Sequence, residues 1–298
     1  MKELTGNKNG IEPNLFMKIR VRILGGGLSG LSTAFHLVRS NQCKKIQIFD
    51  RKKPGFADAS SLAVLMHPFS TRGRIIHEGY EGLKESMNLL DIAQNYAEQP
   101  VYKKTRLYRP CFTEKDAQHW KQAVLSNPTI LSPLSIQDYQ QKFGETGNNP
   151  TPPLGGAIYN DAIVVDSPRY LSGLFEAIRA KGTEVGCEVE WVVGDSDSNS
   201  VSVSDKEGEV LVVAAGASSG LLWSALGGNP LPLHLLRGQV LSYPAKGRLA
   251  QAMRDGDGDE ESFALLAGEY CVRINDRIIV GGTHEHEHEH EHNSCQRQ

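Results

Sequence analysis

The stretch that decides the fold runs from Lys18 to Asp50 and reads KIRVRILGGGLSGLSTAFHLVRSNQCKKIQIFD. Its first seven residues alternate apolar and basic side chains, which is typical of a strand, and the apolar residues after the glycines recur at helical spacing. A second short strand is predicted at 46–49. A strand, a glycine turn, a helix and a strand in this order predict a right-handed crossover between two parallel strands.

The glycines of this stretch carry a ligand-binding pattern. Gly25, Gly27 and Gly30 form G-x-G-x-x-G, and Asp50 ends the second strand. In such a unit the first glycine allows the tight turn, the second lets the backbone approach a pyrophosphate, and the third lets helix and strand pack closely. The helix N-terminus attracts phosphate, and the acid can accept hydrogen bonds from ribose hydroxyls. The pattern predicts a dinucleotide site and leaves FAD and NAD open; the alternative is a structural turn with Asp50 as an ordinary cap.

Arg20 and Arg22 share one face of the first strand, although central parallel strands are usually apolar on both faces. Either that face is partly open or the guanidinium groups have partners. Further along, the periodicity predicts a helix over 85–97, an irregular stretch to residue 150, and a helix capped by Ser167 and stopped by Gly182. Strands are predicted at 189–193, at 201–203, as a buried strand at 209–215, and within 231–283.

Composition excludes several classes of protein. Charged residues make up 22% and hydrophobic residues 39% of the 298, as in ordinary globular proteins. Without residues 284–298, which hold four Glu and one Arg, basic and acidic residues balance, which argues against nucleic acid or an anionic membrane as partner. No apolar run is long enough for a spanning helix. Five cysteines without a C-x-x-C pair, and an N-terminus that does not read as a secretory signal, predict a cytoplasmic protein.

Six ordered segments resemble the D-amino-acid oxidase superfamily of flavoproteins, which includes glycine and sarcosine oxidases. They are GGGLSGLSTAFHL followed by IFDR and Ala59-Ser60-Ser61, then Ser70–Gly82 (STRGRIIHEGYEG), VVDSPRYL, VLVVAAGAS, Arg237-Gly238-Gln239, and IIVGGTHE. The resemblance implies an α/β fold class: a Rossmann-like FAD-binding domain interleaved with a β-rich α+β substrate domain. We expect the FAD-binding domain at 18–80 and 155–222, the substrate domain at 81–154 and 223–283, an extension at 1–17 and a His/Glu tail at 284–298.

The resemblance also implies the cofactor and the reaction. FAD would accept hydride during oxidation of a C–N bond in a small amine or amino acid, with O₂ as electron acceptor. The cofactor-binding residues would be Gly25, Gly26, Gly27, Leu28, Ser29, Gly30, Asp50, Arg51, Ser60, Ser61, Ala215 and Gly216. The polar groups expected near the flavin are His67 and Arg72, the predicted catalytic residues, together with Arg74. Tyr270 and Arg273 are further candidates to face a substrate carboxylate.

The region after Thr283 departs from the family pattern. Family members continue with an arginine-containing G-x-R-P segment and a G-H-x-x-G turn, and this sequence instead shows HEHEHEHEH at 284–292. We therefore expect a chain that lacks the family's C-terminal segment and catalyses poorly. Two rival functions stay open: a non-catalytic dinucleotide-binding protein and an NAD-dependent dehydrogenase. No functional metal site is predicted, because DGDGDEE at 255–261 fails the calcium-loop spacing and the His/Glu tail reads as a weakly chelating segment.

Overall fold

The computed structural model describes residues 18–56, 63–143, 152–194, 209–235, 238–246 and 263–281. The helices in these ranges are α1 (Leu28–Arg39), α2 (Gly79–Gln94), α3 (Glu114–Ser126), α4 (Ile136–Phe143), α5 (Ser167–Val185) and α6 (Ser219–Ala225). The strands are β1 (Ile19–Leu24), β2 (Cys43–Asp50), β3 (Val64–Met66), β4 (Tyr102–Pro110), β5 (Leu131–Leu134), β6 (Gly156–Val165), β7 (Glu188–Val193), β8 (Glu209–Val213), β9 (Val240–Pro244), β10 (Phe263–Ala267), β11 (Glu269–Ile274) and β12 (Arg277–Gly281).

Sheet A contains the two strands of the stretch at residues 18–50, which decides the fold. Its strands lie in the order β7-β2-β1-β8 and all pair in parallel. The predicted strand–turn–helix–strand unit is confirmed, with a second strand that is longer than expected. Arg22 on β1 has partners: its Nε lies 3.9 Å from a carboxylate oxygen of Glu209, and its guanidinium lies 4.9 Å from the ring centroid of Phe49. These contacts explain how a central strand carries a cation.

Sheet B is larger and mixed. In the described ranges its order is β3-β6-β4-β10-β11-β12-β9, with β5 also paired to β6. Most neighbours are antiparallel, and β10 with β4 is a parallel pair. Sheet A with its helices beside this curled sheet confirms the predicted α/β class.

Three apolar clusters hold these layers together. The first joins sheet A to α1, α2, α5 and the end of β6. The second lies between sheet B and α3, and the third lies on the opposite face of sheet B, against α4. Because α2 packs on α5, it shares the core of sheet A, although its residues fall mainly in the range expected for the substrate domain.

The N-cap of helix α5 lies one residue before the predicted cap, and its C-cap lies four residues after the predicted stop. Asp166 is the N-cap, and its side chain accepts a hydrogen bond from the Arg169 amide. Ser167, the predicted cap, is fully buried, and its hydroxyl has no hydrogen-bond partner among the described residues. The helix continues through Gly182 to Val185 and ends at Gly186, which takes the left-handed conformation with φ of +70°.

Two other expectations are wrong. The stretch expected to be irregular contains β4, α3, β5 and α4, whose apolar positions are too few and too widely spaced to stand out against their polar residues. The strand expected to be buried at 209–215 ends at Val213 and lies at the edge of sheet A, where Val210 is 43% exposed. The predicted helix at 85–97 runs from Gly79 to Gln94.

Several sequence predictions lie outside the described residues: the extension at 1–17, Ser60 and Ser61, the strand at 201–203, Arg237, the acidic run at 255–261 and the His/Glu tail. A helix long and apolar enough to cross a membrane does not occur within the described ranges. Those ranges also bring together no group of three or more His, Cys, Asp or Glu side chains that could hold a metal ion.

Candidate cofactor and active site

The glycine turn between β1 and α1 leaves no space for side chains at three positions. Gly25 has φ of +105°, and a Cβ there would lie 2.3 Å from the carbonyl oxygen of Ala214. A Cβ on Gly30 would lie 1.9 Å from the carbonyl oxygen of Gly25. On Gly26 it would lie 2.0 Å from Cη2 of Trp191. Glycine is therefore required at each position by backbone or by a neighbouring ring.

The first turn of α1 is suited to an anion. Gly27 is the N-cap and supplies no side-chain cap, and the first turn contains no acidic residue. Leu28 and Ser29, which open the helix, are exposed. The first amides of a helix point out of its N-terminus and carry partial positive charge. A phosphate at this end would meet backbone N–H groups with no competing carboxylate on the helix.

Asp50 is already engaged by the turn. One carboxylate oxygen accepts a hydrogen bond of 2.8 Å from the Gly26 amide, and the other accepts one of 2.9 Å from the Lys52 amide. An ionised carboxylate has about four lone-pair sites, so acceptor capacity is left for ribose hydroxyls. Arg51, between these residues, is exposed. Asp50 thus joins the end of β2 to the glycine turn.

The end of β8 lies directly beside the glycine turn. The Ala214 amide donates a hydrogen bond of 2.7 Å to the Leu24 carbonyl, and the Cα of Ala215 lies where a side chain on Gly25 would reach. Gly216 follows with φ of +55° and opens a short 3-10 turn. The structure therefore brings Ala215 and Gly216 together with the turn at 25–30, at the carboxyl ends of parallel strands. Ligands bind at this edge in open α/β sheets.

This set of features fits the dinucleotide that the sequence predicts. Gly27 at the start of α1 brings no side chain, α1 has no side-chain cap, and a carboxylate stands at the end of β2. The fit concerns the nucleotide half of the cofactor.

His67 follows β3 and is half-buried. Burial, and secondly the positive charge of Arg109, hold the pKa of His67 below its ordinary value of 6.5. Its Nδ1 accepts a hydrogen bond of 3.3 Å from the Phe69 amide. A neutral ring that accepts at Nδ1 carries its proton on Nε2, so His67 offers an N–H donor at neutral pH.

Arg72 and Arg74 lie on a tight turn that projects into solvent. The Ser70 amide donates to the Arg74 carbonyl at 2.7 Å, and both arginines are exposed. Gly73 packs beneath them against Trp120 of α3. The role of these two exposed arginines at a flavin stays a prediction.

Tyr270 and Arg273 do not share a face of sheet B. Tyr270 packs with the second cluster, and its hydroxyl donates to the Ala63 carbonyl at 3.4 Å. Burial raises the pKa of the Tyr270 hydroxyl. Arg273 is an odd number of residues away on the same strand and lies with Cys271 on the opposite face. The two side chains therefore cannot act on one carboxylate.

Sequence reasoning missed two residues of this region. Arg109 on β4 donates to the Leu266 carbonyl at 2.8 Å, and its guanidinium lies 5.9 Å from the Trp120 ring centroid. Its buried Nε has no hydrogen-bond partner in the part of the chain that the structure describes. Trp191 on β7 packs against the glycine turn. No sequence signal distinguished Arg109, which is one of four basic residues on β4. None distinguished Trp191 either, since it looks like any aromatic strand residue.

Comparison with protein families gives one match. A family profile described as FAD dependent oxidoreductase (DAO) matches residues 20–297. No curated protein matches the chain significantly.

Comparison with solved structures gives the same fold. Glycine oxidase from Geobacillus kaustophilus is similar with a TM-score of 0.61 and 18% identity, over 90% of this chain and 72% of that one. L-Proline dehydrogenase from P. horikoshii aligns with a TM-score of 0.59 and 12% identity, over 89% and 69%. Iminodiacetate oxidase from Chelativorans sp. BNC1 aligns with a TM-score of 0.57 and 16% identity, over 89% and 72%. At these identities the likeness shows the fold alone.

Proposed function

The chain belongs to the FAD dependent oxidoreductase family, and from this premise we propose that it oxidises the C–N bond of an amino acid or secondary amine. Because this family uses FAD, the alternative of an NAD-dependent dehydrogenase is set aside. The structural observation that supports FAD binding is the contact between the glycine turn and the end of β8, where Gly25 meets Ala214 and Ala215. The neighbouring enzymes support the substrate class: they are named for glycine, L-proline and iminodiacetate, and each of these compounds combines an amine with a carboxylate.

FAD, when bound, supplies a two-electron acceptor that takes hydride from the substrate carbon. The chain contributes binding at the nucleotide end. We assign the pyrophosphate to the turn at 25–30 and the N-terminus of α1, and the adenosine ribose to Asp50. Ala215 and Gly216 let the ligand lie against backbone. Arg51, Ser60 and Ser61 stay in the proposed set from the sequence resemblance.

On the substrate side we assign two polar roles. His67 is neutral at pH 7 because its pKa is lowered, so its Nε2–H can donate a hydrogen bond without adding a charge. That donor suits a substrate carboxylate or a flavin oxygen and leaves a neutral substrate amine undisturbed. Arg72, with Arg74, would supply positive charge that stabilises a reduced, anionic flavin. O₂ is the proposed final acceptor.

The test begins with the absorption spectrum of the purified protein, in which bound flavin shows as yellow colour. Anaerobic mixing with glycine, sarcosine, D-alanine and D-proline, one at a time, then follows loss of the flavin band. Bleaching by one of these and not by its carboxamide analogue supports oxidation of an amino acid. Re-admission of air should restore the band and release H₂O₂. A yellow protein that none of these compounds, nor a wider set of secondary amines, reduces would contradict the proposal and favour a non-catalytic flavin-binding protein.

A further inference from the structure

Trp191 connects the two segments that meet at the nucleotide site. It lies on β7, at the edge of sheet A, in register with Ile48 of β2. Its indole N–H donates a hydrogen bond of 3.0 Å to the Lys52 carbonyl, just after β2. The far edge of its ring lies over Gly26, where an added Cβ would come within 2.0 Å of Cη2 and 2.8 Å of Cζ2 and Cζ3. One side chain therefore touches both the glycine turn and the segment after Asp50.

These contacts place the indole beside the group assigned to the ribose. Asp50 accepts from the Gly26 amide and from the Lys52 amide, and Trp191 contacts the same two residues from the side. In this class of fold the ribose next to that acid belongs to the adenosine half of the ligand. The purine of such a ligand is attached to this ribose, and β7, which carries the indole, is the strand next to β2.

The chemistry of the indole suits a purine. Its single donor is already used by Lys52, so the ring offers a π-face and an edge and no further hydrogen bond. Phe175 of α5 packs edge-to-face at 5.0 Å between centroids and holds the ring in place. Trp191 is only partly buried. A flat base can stack on such a surface with little dependence on its hydrogen-bonding pattern.

We propose that Trp191 is a nucleotide-site residue whose indole forms one wall of the adenosine subsite and contacts the purine half of FAD. The inference depends on the cofactor and on no property of the substrate. Its test can therefore succeed whether or not the protein oxidises an amine.

The first experiment measures the fluorescence emission of Trp191. The chain has three tryptophans, so Trp120→Phe/Trp223→Phe leaves Trp191 as the single one, and Trp191→Phe removes only that one. Both proteins, freed of flavin, are titrated with ADP and separately with FMN. ADP should quench or shift tryptophan emission in the Trp191-only protein and leave the Trp191→Phe emission unchanged. FMN, which lacks the purine, should bind far more weakly to both.

The second experiment measures affinity by calorimetry. Trp191→Ala should bind ADP about tenfold more weakly than the parent, which corresponds to about 1.4 kcal/mol. Trp191→Phe, which keeps a ring, should lose less than half of that free energy. Trp223→Ala, an aromatic truncation on α6, is the matched control and should bind as the parent does. Circular dichroism identifies any variant that has unfolded, and if Trp191→Ala unfolds, the Trp191-only titration decides. No ADP-dependent change in the Trp191-only protein, or equal ADP affinity in folded Trp191→Ala and Trp223→Ala, would overturn the proposal.

Discussion

The indole of Trp191 occupies the space that a side chain on Gly26 would need: an added Cβ would lie 2.0 Å from Cη2 of the ring. In G-x-G-x-x-G the second position is variable, so the pattern does not explain why glycine stands there. The explanation comes from β7, which is separated from β1 by β2 in sheet A. Glycine at position 26 and tryptophan at position 191 form a complementary pair.

Gly26→Ala should lower the thermal midpoint and the flavin content, because the added methyl overlaps the ring and overpacking costs about 1–3 kcal/mol. The double variant Gly26→Ala/Trp191→Phe should recover stability, since phenylalanine does not reach as far. Thermal unfolding and bound flavin per chain provide the measurements. If the double variant is no more stable than Gly26→Ala, the overlap with the ring is not the cause of the loss.

Gly30→Ala and Gly82→Ala form a matched pair of helical substitutions. At position 30 the new Cβ would lie 1.9 Å from the Gly25 carbonyl oxygen, so α1 must move away from the turn and both stability and FAD retention should fall. Gly82, on α2, has no atom within 4 Å of the corresponding site. There alanine should stabilise the protein by about 0.5–1 kcal/mol, since it removes glycine's backbone freedom. Urea unfolding distinguishes the two; equal effects would contradict this description of the turn.

Asp50→Ala should weaken retention of FAD by more than about tenfold. The substitution removes the acceptor for the Gly26 and Lys52 amides as well as the proposed ribose contact, and a hydrogen bond to a charged group contributes about 1.5–3 kcal/mol. Glu176→Ala, which breaks an exposed ion pair with Arg179 on α5, is the control and should retain the cofactor. Flavin release on dilution is the measurement, and unchanged release in Asp50→Ala would assign the ribose to another group.

Substitutions at Asp166 and Ser167 test which of the two residues caps α5. Asp166→Ala should destabilise the protein by about 1–2 kcal/mol, because the carboxylate caps the helix and also accepts a hydrogen bond of 2.8 Å from Asn275 of the loop between β11 and β12. Ser167→Ala should be neutral or stabilising, because the buried hydroxyl has no partner within the described ranges. Chemical denaturation gives both values. If Ser167→Ala loses more stability than Asp166→Ala, Ser167 is the cap, as the sequence predicted.

His67 should make stability depend on pH in a defined direction. Its pKa is lowered in the folded protein, chiefly by burial, so below about pH 6.5 the unfolded chain binds a proton that the folded chain resists. The free energy of unfolding should therefore fall as pH drops from 6.5 toward the native pKa and stop responding to this group below it. His67→Gln should lack this component in urea unfolding between about pH 7.5 and 5. The same pH slope in both proteins would show that His67 does not titrate in this way.

The sequence by itself determined the parts of the molecule whose signals are local. Strand, glycines, helix and second strand lie within one short stretch, so Gly25, Gly30 and Asp50 could be assigned from their spacing alone. The parallel pairing of β1 with β2 followed from the handedness of a short crossover. The family resemblance extended this prediction to FAD.

Only the tertiary structure decided the relations between residues far apart in the chain. Trp191 meets Gly26, and Ala214 meets Gly25. The cap of α5 also depended on actual backbone angles at Asp166, since neighbouring Asp and Ser are both acceptable caps in a sequence. The physical reason is that periodicity describes one element at a time. Contacts between elements depend on strand order, register and side-chain volume, which are set when distant segments pack together.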